Sequence, residues 1–569
     1  MPGFNILFEK NNFLKNKETE PYLINNFITG ESFSIQRFTT NKFLNDKVFY
    51  EDENCIILIE GVILNKKSLI SSQKKKEWAK YIWSLYLERG NDFFKIFRGS
   101  FSGLVYDKKT LKWIIFTDHL GTKHIYYDSN FKIISSVITD IYHYWKKNKL
   151  KPKLDINAAY MLLSFGYMLD DNTLCANIKK LEPGHYILIE DNISKVVKYY
   201  QLPLSKVDGE FTDNDLETLD DLFRKAVSLQ FDKDKEYGLN HFVALSGGLD
   251  SRMTSWVGNE LGYNNQINFT FSQTDYLDET IPKKIAAELN HEWIFKALDN
   301  GNFLTDIDQI NLMSGGNVLF YGLAHANSLY KIINFENLGI IHSGQLGDIV
   351  IGSFVKELSE KSFKELSGAY SKRLVDKIEF KPIEIDNFQN LEKSLVYRRG
   401  LNGANNGLLS AQQYTETMSP FYDIDFFEFC LSIPIKYRMN HKVYKNWIIR
   451  KYPDAANYVW AATESKITDK QVKFRNKYVP VKKIPAIVRR KILGSPDRKA
   501  TKNHMNPLDF WYNNNKSLQA FQDSFFDENI SRLDDLGDLK ADCISLYNNG
   551  SGVEKNQVLT LLSAVKLFF

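Results

Sequence analysis

The residues of this chain best suited to chemistry are the string Leu245-Ser246-Gly247-Gly248-Leu249-Asp250-Ser251. A short apolar strand, Phe242-Val243-Ala244-Leu245, leads into it, and a helix is expected to follow. Glycines in such a turn let the backbone bend tightly and aim several N–H groups at one anion. The first turn of the helix adds partial positive charge. Ser246 and Ser251 can donate hydroxyl hydrogen bonds to phosphate oxygens, and Asp250 supplies the carboxylate that a magnesium ion takes. No Gly-Lys-Ser/Thr ends the string, so it is not a Walker A loop. It suits a pyrophosphate that will leave, with chemistry at the α-phosphorus of ATP. The competing reading is a plain structural turn; the coincidence of string, strand and helix argues for function.

Such a loop needs a scaffold, and the pattern around it supplies one. From about residue 213, strands and helices alternate. An amphipathic helix spans Asp213 to Leu229. The strand before the loop, a helix after it, the strand Ile267-Asn268-Phe269-Thr270-Phe271 and a helix from Ile281 to Leu289 follow. This alternation predicts an α/β layer with a parallel sheet. After about residue 355 the pattern is mostly helical. Residues 1 to about 140 read differently. Short apolar runs at Cys55–Ile59, Phe101–Tyr106, Trp113–Phe116 and Ile133–Ile134 are each followed by turn-prone residues, with one helical stretch from Lys76 to Leu87. Layered antiparallel sheets with a few helices fit this. Residues 145–203 connect the two halves and contain a turn at Glu182-Pro183-Gly184.

A length of 569 residues implies two or three domains. The formal net charge of +4 is too small to demand a nucleic-acid partner. No apolar run approaches the roughly 20 residues that cross a bilayer, and residues 1–10 do not read as a signal peptide. Cys55, Cys175, Cys430 and Cys543 are far apart, which fits a reduced, cytoplasmic protein with neither a disulfide framework nor a metal cluster. The stretch 470–502 is rich in lysine and arginine. It reads as a solvated loop, or as a surface for phosphates, an acidic substrate or anionic lipid heads.

The loop resembles the pyrophosphate loop of the N-type ATP pyrophosphatases, and within them the asparagine synthetase family. A second string, His342-Ser343-Gly344-Gln345-Leu346-Gly347-Asp348, is similar to that family's Ser-Gly-Glu-Gly-x-Asp loop. The resemblance implies that Asp250 and Asp348 hold one magnesium ion between the β- and γ-phosphates. The alternative for Asp348 is a helix N-cap. The family's glutamate is Gln345 here, a departure that bears on which carboxylate is bound. By the same resemblance Ser246, Gly247, Gly248, Leu249, Asp250, Ser251, Ser343 and Gly344 bind ATP. Adenosine is met by backbone at Ala244 and Phe271, beside a flanking helix that carries Asp278, Ala286 and Leu289. The segment Thr415 to Asp423 is similar to the family's Glu-x-Arg-x-Pro-Phe-Leu-Asp, with Met418 in place of the arginine. Glu416 is then a candidate proton acceptor or orienter for the attacking amine, or else a structural salt bridge. Lys466, a few residues past Trp460, is the candidate for the family's pyrophosphate lysine, or else a surface lysine.

The first half resembles the family's glutaminase domain at Phe97-Arg98-Gly99-Ser100-Phe101, Thr117 to Tyr127 and Leu181 to Tyr186. A working domain of this type uses a cysteine directly after the initiator methionine, whose freed α-amine acts as base. Residue 2 is Pro2, and the family's glutamine-holding Asn-Gly-Glu is Glu60-Gly61-Val62. Glutamine hydrolysis is therefore expected to be absent, as in β-lactam synthetase and the lasso-peptide cyclases. The resemblance implies an α+β N-terminal Ntn-type sandwich over 1–203. It is followed over 204–569 by an α/β parallel-sheet ATP-pyrophosphatase domain with a helical C-terminal region. The expected function is a glutamine-independent carboxylate–amine ligase that makes an amide through an acyl-adenylate, with ATP and Mg2+ as cofactors. Its partners would be a small-molecule, sugar or peptide carboxylate and an amine or ammonia, without nucleic acid or integral membrane contact. A homodimer is left open. The rival readings are an intramolecular amide-forming cyclase and a catalytically silent nucleotide-binding protein.

Overall fold

The computed structural model describes residues 1–9, 23–71, 77–355, 368–381, 387–474, 477–481, 484–485 and 501–569. Much of the basic stretch 470–502 lies outside the described residues.

The N-terminal half is built from two six-stranded antiparallel sheets packed face to face. One runs Ile178–Lys180, Tyr126–Asp128, Ile133–Ser135, Gly3–Leu7, Ser34–Thr39, Ile24–Thr29. The other runs Ile193–Lys198, His185–Glu190, Lys112–Thr117, Gly99–Asp107, Cys55–Ile63, Val48–Glu51. Successive side chains on a strand point to opposite faces. Ile56 and Leu58 enter the core between the sheets with Phe4, Ile35 and Ile115. Cys55, Ile57 and Ile59 face the other way, under the helix Trp78–Arg89 and Phe93. Both faces are covered, which is why this strand reads as an unbroken apolar run. The helix Ile138–Lys147 covers the outer face of the first sheet through Ile138, Ile141 and Trp145.

The second half carries a five-stranded parallel sheet in the order Glu292–Ala297, Gln266–Ser272, Asn240–Ala244, Leu338–His342, Thr417–Met418. The chain starts at the central strand, builds outward on one side, then returns to build on the other. The reversal creates a crevice at the carboxyl ends of Asn240–Ala244 and Leu338–His342, where ligands of open α/β sheets bind. The helix Asp213–Glu236, begun by a capping box of Thr212 and Asp215, packs behind this sheet. Its Asp234 accepts hydrogen bonds from His241 at 2.9 Å and His342 at 2.7 Å, tying the helix to both crevice strands.

The C-terminal helices Lys516–Asn529, Asp538–Asn549 and Gly552–Phe568 form one apolar core with the helix Ile156–Phe165. The far end of the chain thus closes on the connecting region. Among the described residues after 355 the structure is mostly helical, broken by short strands at Val459–Trp460, Ser465–Lys466, Gln471–Phe474 and Lys477–Pro480 besides the fifth sheet strand.

Candidate functional site

Two loops meet in the crevice. The first leaves Asn240–Ala244 and enters the helix Asp250–Glu260; the second leaves Leu338–His342 and enters the short helical turn Asp348–Gly352. Their approach depends on glycine. A Cβ on Gly344 would lie 2.2 Å from the Ser251 backbone nitrogen, and one on Gly347 would lie 2.6 Å from the Asp250 carboxyl carbon. No side chain fits at either place. With both glycines present, the Asp348 N–H donates to Asp250 Oδ2 at 3.1 Å, across 98 residues of sequence. Gly344→Ala is therefore expected to push the loops apart and to cost about 1–3 kcal/mol of stability, as measured by urea denaturation.

The first loop is held by its own polar groups. The Ser246 N–H donates to Ser251 Oγ at 2.9 Å, and the Gly248 N–H donates to Ser246 Oγ at 3.2 Å. The Gly247 N–H donates to Asp278 Oδ1 at 2.7 Å. Arg252, fully buried, donates to the Gly247 carbonyl and to the carbonyls of Ala455, Tyr458 and Val459. It pins the loop to the C-terminal segment.

Asp250 and Asp348 form the electrostatic centre. Burial, and then the charge of Asp348, push the Asp250 carboxyl well above its usual range. Burial also raises Asp348, against the pull of His441 and Arg399. Asp348 still opens onto a cavity while protein surrounds it. Tyr444 donates its hydroxyl to Asp250 Oδ1 at 2.8 Å. Among the described residues no lysine or arginine forms an ion pair with either carboxylate. Two acids this close repel each other, and Asp348 stays exposed to the cavity with only His441 and Arg399 near it. Such a donor set fits magnesium, which binds through one or two carboxylates together with substrate phosphates.

Two cavities share this centre. One, of about 340 Å3, is lined by Ala244, Ser246, Gly248, Asp250, Ser251, Phe271, Ser343 and Gly344 of the expected ATP residues. Its far wall holds Phe269, Tyr330 and the stacked rings of Phe271 and His325, with centroids 4.8 Å apart. The other, of about 650 Å3, is lined by Asp250, Asp348, Gln345, aromatic residues and Arg399. Gln345 borders both cavities and donates to the Ala404 carbonyl.

Four of the expected residues lie apart from the two cavities, and for Glu416 the salt-bridge alternative describes its surroundings. Gly247 faces Asp278 and Ala461 rather than the cavity, and Leu249 is an apolar core residue at 3% exposure. Glu416 lies outside both cavities. It is buried between the halves of the molecule, with Lys123 Nζ at 2.6 Å and Lys47 Nζ at 3.3 Å. The backbone just before the strand Thr417–Met418 turns the side chain toward the sandwich, and two lysines neutralise it there. Lys466 borders neither cavity; its backbone N–H is bound to Asp469 in the hairpin with Val459–Trp460. The cationic or titratable side chains that do face Asp348 are His441 and Arg399, with Lys445 next to His441. Burial lowers the pKa of both His441 and Lys445. Tyr444, Arg252, His441 and Arg399 escaped the sequence reading. Of these only Arg252 left a local trace, an arginine directly after the loop on an otherwise buried first turn.

The fold and site together define an antiparallel sandwich joined to a parallel-sheet domain with a paired-carboxylate crevice. Residues 45–200 match the glutamine amidotransferase domain. The chain is 26% identical over 335 residues to a Methanocaldococcus jannaschii protein named as asparagine synthetase (glutamine-hydrolyzing) 2, covering 55% of this chain and 62% of the relative. It is 23% identical over 275 residues to asparagine synthetase (glutamine-hydrolyzing) 1 of Bacillus subtilis, covering 46% of this chain and 42% of the relative. The chain thus spans less than two thirds of either relative. A solved structure of glutamine phosphoribosylpyrophosphate amidotransferase from B. subtilis aligns at a TM-score of 0.24 and 10% identity, over 47% of this chain and 65% of that one, a likeness too slight to build on. The chain is thus similar to a glutamine amidotransferase domain over residues 45–200 and, over about half its length, to asparagine synthetases.

Proposed function

We propose that this protein is an ATP-dependent carboxylate–amine ligase that releases AMP and pyrophosphate and draws no nitrogen from glutamine. The observation that carries the reading is the contact of Asp250 with Asp348 at the junction of two cavities. The smaller cavity takes ATP, with the base against Phe271 and His325 and the phosphates toward Ser246, Gly248 and Ser251. Asp250 and Asp348 would hold a magnesium ion, which when bound neutralises charge on the β- and γ-phosphates. A carboxylate in the larger cavity attacks the α-phosphorus, and the bond to the oxygen bridging the α- and β-phosphates breaks. Pyrophosphate leaves beside the Ser246 and Ser251 hydroxyls, and an acyl-adenylate remains. An amine nitrogen then attacks the acyl carbon, AMP departs, and the nitrogen loses a proton to solvent. The chain's contribution is orientation and a prearranged field.

Independence from glutamine rests on the thiols and on Glu60. Cys55, Cys175, Cys430 and Cys543 are all buried. Burial pushes the Cys55 thiol up to about 12, the opposite of what a nucleophile needs. Glu60 is engaged by Thr39 at 3.0 Å and lies near Arg37 and Lys47, which leaves it no freedom to grip an amino acid.

Acid-dependent exchange of labelled pyrophosphate into ATP is the test. Full-length protein with Mg-ATP should exchange only when a suitable acid is added, should form AMP rather than ADP, and should yield no glutamate from glutamine. ADP and phosphate as products would sink the adenylate step. Glutamate formation would sink the independence from glutamine.

A further inference from the structure

The larger cavity says something about the acid, provided the ligase reading above holds. Its volume of about 650 Å3 lies within the 300–1,000 Å3 range of sites that enclose drug-sized ligands, and far exceeds what an amino-acid side chain needs. Tyr167, Tyr321, Tyr370 and Phe354 supply aromatic faces. Tyr167 comes from the sandwich side of the chain, so the cavity is completed by both halves. Arg399 is the cation on its wall, held over the Phe354 ring at 4.1 Å. The neighbouring arginine, Arg398, is paired with Asp170 at 3.5 Å, and Arg438 is paired with Glu392 at 2.6 Å. Among the described residues Arg399 forms no ion pair. The backbone that carries it, Val396–Gly403, is a π-helical turn, and so is Asp348–Gly352 at the carboxylate end. Such widened turns are rare and concentrate at functional sites.

We propose that Arg399 receives a second anionic group on the acid. The substrate is then a ring-bodied acid with at least two negative charges, larger than an amino acid. One carboxylate is activated near Asp250 and Asp348, and the other anion is clamped by the guanidinium. An arginine fork is the group best matched to such an anion, and a charge-assisted pair of this kind separates a dianion from its monoanionic counterpart by roughly 10- to 100-fold.

Probe pairs with one skeleton test this. Full-length protein is loaded with Mg2+ and a non-hydrolysable ATP analogue. Binding of trans-1,4-cyclohexanedicarboxylate, cyclohexanecarboxylate and succinate is then followed by ligand-observed NMR. The expected result is that the ring dicarboxylate binds at least about tenfold tighter than the monocarboxylate and tighter than succinate. Arg399→Gln should level the ring pair while the protein still binds the nucleotide analogue. Equal binding of the ring pair in the unaltered protein, or a preference that survives in Arg399→Gln, overturns the proposal. Loss of nucleotide binding in the unaltered protein would sink the ligase reading itself, a separate readout from the ring-pair difference.

Discussion

Asp250→Asn should lower pyrophosphate release by about 10^3-fold or more while leaving the free protein at least as stable as before. The two halves of this expectation have one cause. Asp250 sits against Asp348 with burial and like charge both opposing its ionised form. Asparagine keeps the shape, and its carbonyl oxygen can still accept from the Tyr444 hydroxyl or the Asp348 N–H. What goes is the charge. Without it, the donor set has one carboxylate for a divalent ion, and field on the phosphates falls by the same step. Sites arranged for function carry strain that a neutral substitution relieves. The unfolding midpoint of the free variant should stay level or rise, and Mg-ATP should no longer raise it. In the unaltered protein, nucleotide at 100 times its Kd should add about 2.7 kcal/mol. A variant that keeps pyrophosphate release within tenfold, or that unfolds early without ligand, would show Asp250 to be a scaffold residue.

The difference between what was readable in the sequence and what was not follows from range. The two crevice loops could be read because all their signals are local: an apolar strand, glycines, a serine or aspartate at a helix start. The run Cys55–Ile59 was readable as a strand, because covering both faces leaves an unbroken apolar string. The partners of the loops were not readable. Tyr444 reaches Asp250 across 194 residues, and Arg252 reaches Val459 across 207. Neither contact has a local period. Glu416 shows the ambiguity most plainly. It precedes a two-residue strand at the sheet edge, and a strand offers two opposite faces. Nothing within nine residues says which face looks into the crevice. The structure settles it with lysines drawn from positions 47 and 123, in the other half of the chain.

Glu416 accordingly carries the largest expected effect on stability. Its carboxylate is nearly buried at 5% side-chain exposure, between Lys47 at 0% and Lys123 at 13%. Removing one partner of a buried ion cluster strands the remaining charges, which costs about 3–5 kcal/mol. Glu416→Ala should fall in that range by urea denaturation at neutral pH, and Glu416→Gln near its lower end. Glu60 cannot substitute, because it stands 3.8 Å from Lys47 and also faces Arg37. The pH dependence gives an independent check. Burial alone would raise the Glu416 carboxyl, but Lys123 and Lys47 together hold it below its ordinary value. A depressed acid contributes stability that is present above the unfolded-state value of about 4.3 and lost as pH falls through the folded one. The gap between the unaltered protein and Glu416→Gln should stay constant from about pH 8 down to pH 5.5 and close in the acid range below. Glu60, raised by burial and also by the charge of Glu416, does not cancel in the difference, so the comparison is made in a Glu60→Gln background. A proton-accepting Glu416 would behave otherwise: Glu416→Gln would stop amide formation with little change in unfolding. Full stability loss with residual pyrophosphate exchange, measured at low temperature where the variant is folded, would confirm that this glutamate joins the two halves of the molecule rather than serving the reaction.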